Sequence, residues 1–68
     1  MKKELYVVKV GVDYEGYDVV GVFESKADAL ACMQEEIAEE CGDYVLISAY
    51  IGRESHRIAY QRVYEDED

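Results

Sequence analysis

The spacing of hydrophobic residues predicts four strands and one helix. Alternating apolar and polar positions, rich in Val, Ile and Tyr, predict strands over residues 4–12, 18–24, 43–51 and 55–64. The segment 25–42 changes to a helical period. The order β-β-α-β-β predicts an α+β fold, with one helix packed on one face of a four-stranded, mainly antiparallel sheet.

The helix prediction rests on a capping signal and an apolar stripe. Ser25 is the expected N-cap, Asp28 occupies the N3 position of a capping box, and Gly42 is expected just past the C-terminus. The stripe expected to face the sheet, with Met33 at its edge, comprises Ala27, Leu30, Ala31, Gln34, Ile37, Ala38 and Cys41. Cys41 is expected in the core and Cys32 half exposed, and their separation along one helix excludes a disulfide.

Turns and a charged tail complete the predicted organisation. Gly16 is expected to adopt positive φ between the first two strands, and residues 52–55 form the second turn. Residues 1–64 are predicted to form one domain. Residues 65–68 are all acidic and are predicted to form a disordered tail.

A single helix leaves one face of the predicted sheet uncovered. Alternation places aromatic residues on that face, namely Tyr44, Tyr50, Tyr60 and Tyr64, with Tyr6 as a further candidate. One interpretation is an ordinary half-solvated face with cross-strand aromatic pairs. The other is an interface for a second copy or another partner, because tyrosine is enriched in such interfaces.

Charge narrows the classes of partner. Sixteen acidic residues face seven basic ones in 68 residues, which gives a net charge of −9, while half of the residues are hydrophobic. Such a protein is repelled by nucleic acid and by anionic membranes, so its expected partner is a basic protein surface. Without an apolar stretch long enough for a membrane span, and without a signal peptide, the sequence predicts a soluble, cytoplasmic protein.

The sequence offers little for catalysis or metal binding. His56 is the only histidine, and no nucleophile and base can be assigned around it. The hairpin acids Asp13, Glu15 and Asp18 lack the twelve-residue pattern of a calcium-binding EF-hand loop. We therefore expect no enzyme, no cofactor and no metal site.

The acidic residues concentrate in two places that could bind a partner. The first is the end of the helix with the residue beyond it, which comprises Glu35, Glu36, Glu39, Glu40 and Asp43. The second is the first hairpin, with Asp13, Glu15 and Asp18. Like-charge pairs four residues apart cost roughly 0.2–0.5 kcal/mol each, and anions at a helix C-terminus oppose the helix dipole. Two interpretations stay open: these acids confer solubility, or they form a docking surface that imitates the charge of nucleic acid.

The first half of the chain resembles a class of short bacteriophage and prophage proteins. The similar segments are YVV at 6–8, EGYD at 15–18 and GVFESKADAL at 21–30. The resemblance carries no functional residues, but it implies an inhibitor of a bacterial defence system, of the anti-CRISPR or anti-restriction type. Some of those inhibitors are DNA mimics. This chain has only one helix and a tyrosine-rich sheet, which favours a plug for one basic pocket or a cover over one protein surface.

Together these observations predict a small, acidic, non-enzymatic inhibitor. It would dock on a basic, nucleic-acid-binding surface of a host defence complex, without contacting nucleic acid itself. The alternative is a structural or adaptor module that forms a homodimer through the tyrosine-rich face of the sheet.

Overall fold

The predicted order of elements is confirmed by the computed structural model, which describes residues 3–63. Its elements are β1 (Glu4–Val12), β2 (Gly16–Phe23), α1 (Lys26–Glu39), β3 (Tyr44–Ile51) and β4 (Glu54–Arg62). The α+β class is therefore correct. Tyr64 and the acidic tail 65–68 lie outside the described residues. No helix in the described range is long and apolar enough to cross a membrane.

The four strands form one antiparallel sheet in the order β2-β1-β3-β4. The central strands β1 and β3 pair from Glu4 opposite Ile51 to Gly11 opposite Tyr44. Strands β2 and β4 therefore form the two edges. The hairpins close with positive φ at Gly16, as predicted, and at Gly52, which a glycine adopts without steric penalty.

The core lies between α1 and one face of the sheet, which we call the helix face. Its fully buried side chains from the central strands include Val8, Val45 and Ile47, and the helix contributes Ala29 and Met33. Because β-branched residues occupy most of the helix-face positions of the two central strands, they fill the space beneath the helix. This packing leaves the opposite face of the sheet, here called the open face, without a covering element among the described residues.

The predicted apolar stripe of the helix is largely wrong in phase, although Ile37 is half buried and packs on the core as predicted. Leu30 is 37% exposed, and Cys41 is exposed beyond the helix end rather than in the core. The side chains that point to the sheet are Ala29 and Met33, flanked by the half-buried Cys32. Four other residues of the predicted stripe are exposed: Ala27, Ala31, Gln34 and Ala38. The helix is therefore rotated so that Ala29, and not the longer Leu30, faces the sheet.

The helix begins as predicted but ends earlier. Ser25 Oγ accepts a hydrogen bond from the backbone N–H of Asp28 at 3.4 Å, which confirms the N-cap. The C-cap is Glu40, which takes the left-handed conformation with φ 55° and ψ 44°. Gly42 therefore does not cap the helix. A Cβ on Gly42 would lie 2.6 Å from Cγ1 of Val10, so this glycine allows the loop to pass close to β1.

A bulge in each edge strand shifts its alternation. In β2 the pairing with β1 skips Val20, and in β4 the pairing with β3 skips Ile58. Uninterrupted alternation from Ser55 to Tyr64 predicts that His56 shares a face with Tyr60, and the bulge makes this prediction wrong. The bulge moves His56 to the helix face and brings Arg57 onto the open face with Tyr60, since one extra residue reverses every position before it.

Candidate functional site

The end of the helix presents four glutamates without a cationic partner. We call Glu35, Glu36, Glu39 and Glu40 the acidic helix end. Three of them are exposed and Glu36 is half buried. The last turn of α1 contains no basic residue. The two ion pairs found within residues 3–63, Lys3–Glu24 and Arg62–Asp13, involve none of the four. This cluster therefore keeps its negative charge available for an external cation.

Asp43 differs from the other acids grouped with it by sequence. Its Oδ2 accepts a hydrogen bond from the backbone N–H of Asp13 at 2.8 Å, and its own N–H donates to the carbonyl oxygen of Gly11 at 2.8 Å. Its carbonyl oxygen also accepts from Val63 N–H. Asp43 thus ties three segments together, and this structural role accounts for its half-buried position.

The three hairpin acids have different surroundings in the structure. Asp13 Oδ2 pairs with Nη2 of Arg62 at 2.7 Å, which raises the pKa of Arg62 and compensates the Asp13 charge. Glu15 is exposed in the turn, and Asp18 is exposed on β2. Because Asp43 contacts Asp13, the hairpin turn and the loop after α1 meet at the same end of the sheet. The structure therefore brings together one acid from each predicted group, Asp13 from the hairpin and Asp43 from the segment after the helix.

Cys41 adds a thiol to the acidic helix end. Its Sγ donates a hydrogen bond to Oε1 of Glu39 at 3.4 Å, and this bond, followed by slight desolvation and the charge of Glu36, raises the pKa of the thiol. Ligand atoms of Glu36, Glu39 and Cys41 lie within 4.8 Å of one another. Exposed acids often cluster in this way without binding a metal. Burial, and then the nearby glutamates, also raises the pKa of Cys32.

The open face of the sheet displays three of the four predicted tyrosines and one more, while Tyr64 lies outside the described residues. The register places Tyr44, Tyr50 and Tyr60 there, together with Tyr17 of β2. Tyr6 lies on the helix face, where its hydroxyl donates to Glu4 at 2.8 Å and its pKa is raised by that bond. Apolar residues on the open face include Val7, Val19, Val22 and Leu46. Tyr17 and Tyr60 are 57% and 44% exposed, so the aromatic surface is accessible.

Tyr44 and Tyr60 form a stacked pair on this face. Their ring centroids are 5.5 Å apart with an interplanar angle of 29°. The guanidinium of Arg57 lies 5.0 Å from the centroid of Tyr60, and Nη1 of Arg62 donates to the Tyr60 hydroxyl at 3.3 Å. Two arginines therefore hold one aromatic pair, combining cation–π attraction with a hydrogen bond.

Lys9 is the buried cation of the open face. It is 8% exposed, and its Nζ donates to the Tyr50 hydroxyl at 3.0 Å. The same Nζ lies 4.7 Å from the ring centroid of Tyr17 and 5.3 Å from that of Tyr50. The hydrogen bond raises the pKa of Lys9 and lowers that of Tyr50. No carboxylate forms an ion pair with Lys9 in the described part of the chain.

The sheet thus separates the charges of the protein. Among the described strand residues, those facing the open side include Lys9, Arg57 and Arg62 and no carboxylate. The three strand acids Glu4, Asp18 and Glu54 lie on the helix face. Glu4 and Glu54 are both paired with Ile51, and Asp18 is paired with Val10.

Sequence reasoning missed the cationic part of this surface. The alternation of β1 already places Lys9 on the same face as Leu5 and Val7. The face on which Arg57 lies could not be assigned from the sequence, because it depends on the bulge at Ile58.

No family profile, curated protein or solved structure matches the chain. No pocket is found within residues 3–63, so the candidate sites are surfaces.

Proposed function

We propose that the protein is a small non-enzymatic binding protein whose acidic helix end docks on a basic surface of another protein. The observation that carries the proposal is that Glu35, Glu36, Glu39 and Glu40 have no described cationic partner at a helix end where the dipole disfavours them. Glu35 and Glu39 are also a like-charge pair four residues apart, which costs roughly 0.2–0.5 kcal/mol. A basic partner would compensate both penalties.

The partner is best sought among proteins that handle nucleic acid. Their binding grooves are lined with Lys and Arg, so a dense group of carboxylates can occupy part of a site built for phosphates. The resemblance to short phage proteins supports an inhibitor of a bacterial defence complex, acting as a DNA mimic over a short stretch. The net charge of −9 supports fast, salt-sensitive association with such a surface.

We propose to test this by comparing how well charge-reversal variants of the protein retain a basic partner. The double substitution Glu35→Lys and Glu39→Lys is compared with Glu24→Lys and Glu54→Lys, which change the net charge equally at the other end of the sheet. We expect wild type to retain a nucleic-acid-binding protein from bacterial lysate at low salt, to release it at high salt, and to be displaced by duplex DNA. The control should behave like wild type and the helix variant should lose the partner. Equal retention by both variants would refute the proposal.

The homodimer is a second candidate, supported by the stacked pair of the half-buried Tyr44 and the exposed Tyr60 on the open face. In such a homodimer, two copies would meet through their open faces and bury the tyrosines of both sheets. Sedimentation velocity over a range of micromolar concentrations tests it, since a constant monomer mass excludes the dimer.

A further inference from the structure

The open face carries tyrosines and cations that docking through the acidic helix end does not use. It contains four tyrosines and three cations and lies on the other side of the sheet from the helix. We infer that this face is a docking surface for an acidic segment of a partner protein, with one carboxylate of that segment bound at Lys9 between the rings of Tyr17 and Tyr50. The inference stands apart from the acidic helix end.

Lys9 is the observation that points most directly to a ligand. A lysine ammonium has three N–H donors, and the one described acceptor for them is the neutral Tyr50 hydroxyl. Lys9 is 8% exposed as a residue, and within residues 3–63 its ammonium is held by the Tyr50 hydroxyl and two ring faces rather than by a carboxylate. Burying a charge is costly unless it is paired and hydrogen-bonded. A carboxylate placed at Lys9 would supply both the opposite charge and strong acceptors.

Arg57 and the stacked tyrosines form the second half of the surface. Arg57 rests against the Tyr60 ring, and no hydrogen bond or ion pair to its guanidinium is found within residues 3–63. Its planar group is therefore available for a bidentate contact with a carboxylate. Arg62 contributes less, because Asp13 already holds it at 2.7 Å. Tyrosine and arginine are the residues that most often anchor protein interfaces.

The charge and apolar content of this face favour an acidic protein segment over nucleic acid. Among the described open-face cations, Lys9 and Arg57 form no ion pair, whereas nucleic-acid binding draws its affinity from many phosphate contacts. The protein as a whole carries −9, which opposes a long polyanion. A protein segment needs only one or two carboxylates, and its apolar side chains can cover Val19 and Val22, both more than half exposed.

A second copy of the chain, placed face to face, fits this surface less well. A two-fold interface brings each patch against itself. Lys9 and Arg57 of one copy would then meet the same cations of the other, and no strand position of the described open face carries a carboxylate, while Asp13 from the hairpin turn already pairs with Arg62. Charge complementarity therefore favours a partner protein that supplies the acidic residues itself.

The inference is tested with a short fluorescent peptide in which Glu alternates with Leu, and with a matched peptide in which Gln replaces Glu. We expect anisotropy to detect binding of the Glu peptide and binding at least about tenfold weaker for the Gln peptide. Lys9→Met keeps the length of the side chain and should weaken binding by about tenfold. Lys26→Met, which removes an equal charge from the exposed start of α1, should leave binding unchanged.

A second pair of variants covers the case in which Lys9→Met fails to fold. Arg57→Gln should weaken binding of the Glu peptide, while Arg53→Gln in the β3–β4 turn should not. Equal affinity of the Glu and Gln peptides, or no effect of either open-face variant, would overturn the inference. Tighter binding of oligo(dT) than of the Glu peptide would assign the face to nucleic acid instead. A dimer that Arg57→Gln dissociates would assign it to a second copy.

Discussion

The ring of Tyr44 lies directly over Gly11 on the neighbouring strand, so that a methyl group at Gly11 would overlap the ring. This contact lets Tyr44 lie flat on the open face and stack on Tyr60. A glycine in a central strand usually weakens it, and a close approach by another group is one reason to keep one there. Gly11 is therefore required for the shape of the aromatic surface.

Replacing Gly11 with Ala should destabilise the fold by about 1–3 kcal/mol, because the added methyl group displaces the Tyr44 ring. Urea unfolding followed by circular dichroism measures this change. The control is the same substitution in a Tyr44→Ala background, where the overlap no longer exists. An equal loss of stability in both backgrounds would show that the ring does not cause the effect.

Glu40→Gly should stabilise the protein by about 0.5–1 kcal/mol, because Glu40 holds a left-handed conformation that glycine adopts without steric penalty. Glu39→Gly removes the same charge inside the helix and should destabilise it by about 0.5–1 kcal/mol. Denaturant titration of the two variants gives the comparison. Destabilisation by both changes would contradict the cap at Glu40.

Glu39→Gln should make Cys41 react severalfold faster with iodoacetamide near neutral pH. The hydrogen bond to Glu39 raises the pKa of the Cys41 thiol, so its removal increases the reactive thiolate fraction. Glu35→Gln removes an equal charge one turn earlier and serves as the control. Mass spectrometry separates Cys41 from the half-buried Cys32. Equal acceleration by both substitutions would indicate a general charge effect.

The Lys9–Tyr50 hydrogen bond predicts a specific dependence of stability on pH. The pKa of Tyr50 is lowered from 10.0, so its contribution rises as pH increases through the folded pKa toward 10.0. The pKa of Lys9 is raised from 10.5, so its contribution is complete below 10.5 and is lost at higher pH. The stability advantage of wild type over Tyr50→Phe should therefore grow from neutral pH to about 10 and then fall. A constant difference would contradict the bond.

The secondary structure was readable from the sequence because each element has a clear period and clear end signals. Strand β1 has the predicted bounds, and Ser25 caps the helix as its position suggests. The alternation also placed Tyr44, Tyr50 and Tyr60 together correctly. These features depend on local spacing, which a sequence displays directly.

The helix phase, the β-bulges and the strand order depend on contacts between distant segments, so they could not be predicted from local spacing. Leu30 indicates a different helix face from the one that packs through Ala29 and Met33, because packing against the sheet decides the phase. The bulge at Ile58 moved Arg57 onto the open face. The strand order, which puts Lys9 at the centre of that face, follows from pairing rather than from periodicity.

The central claim is that the protein has two binding surfaces of opposite charge, separated by the sheet. The most direct test is an NMR titration of ¹⁵N-labelled protein with two probes, a short oligoarginine and the alternating Glu–Leu peptide. We predict that oligoarginine shifts the amide signals of Glu35–Glu40 and that the acidic peptide shifts those around Lys9, Tyr17 and Tyr50. Overlapping sets of shifted residues, or no shift around Lys9 with the acidic peptide, would contradict the claim.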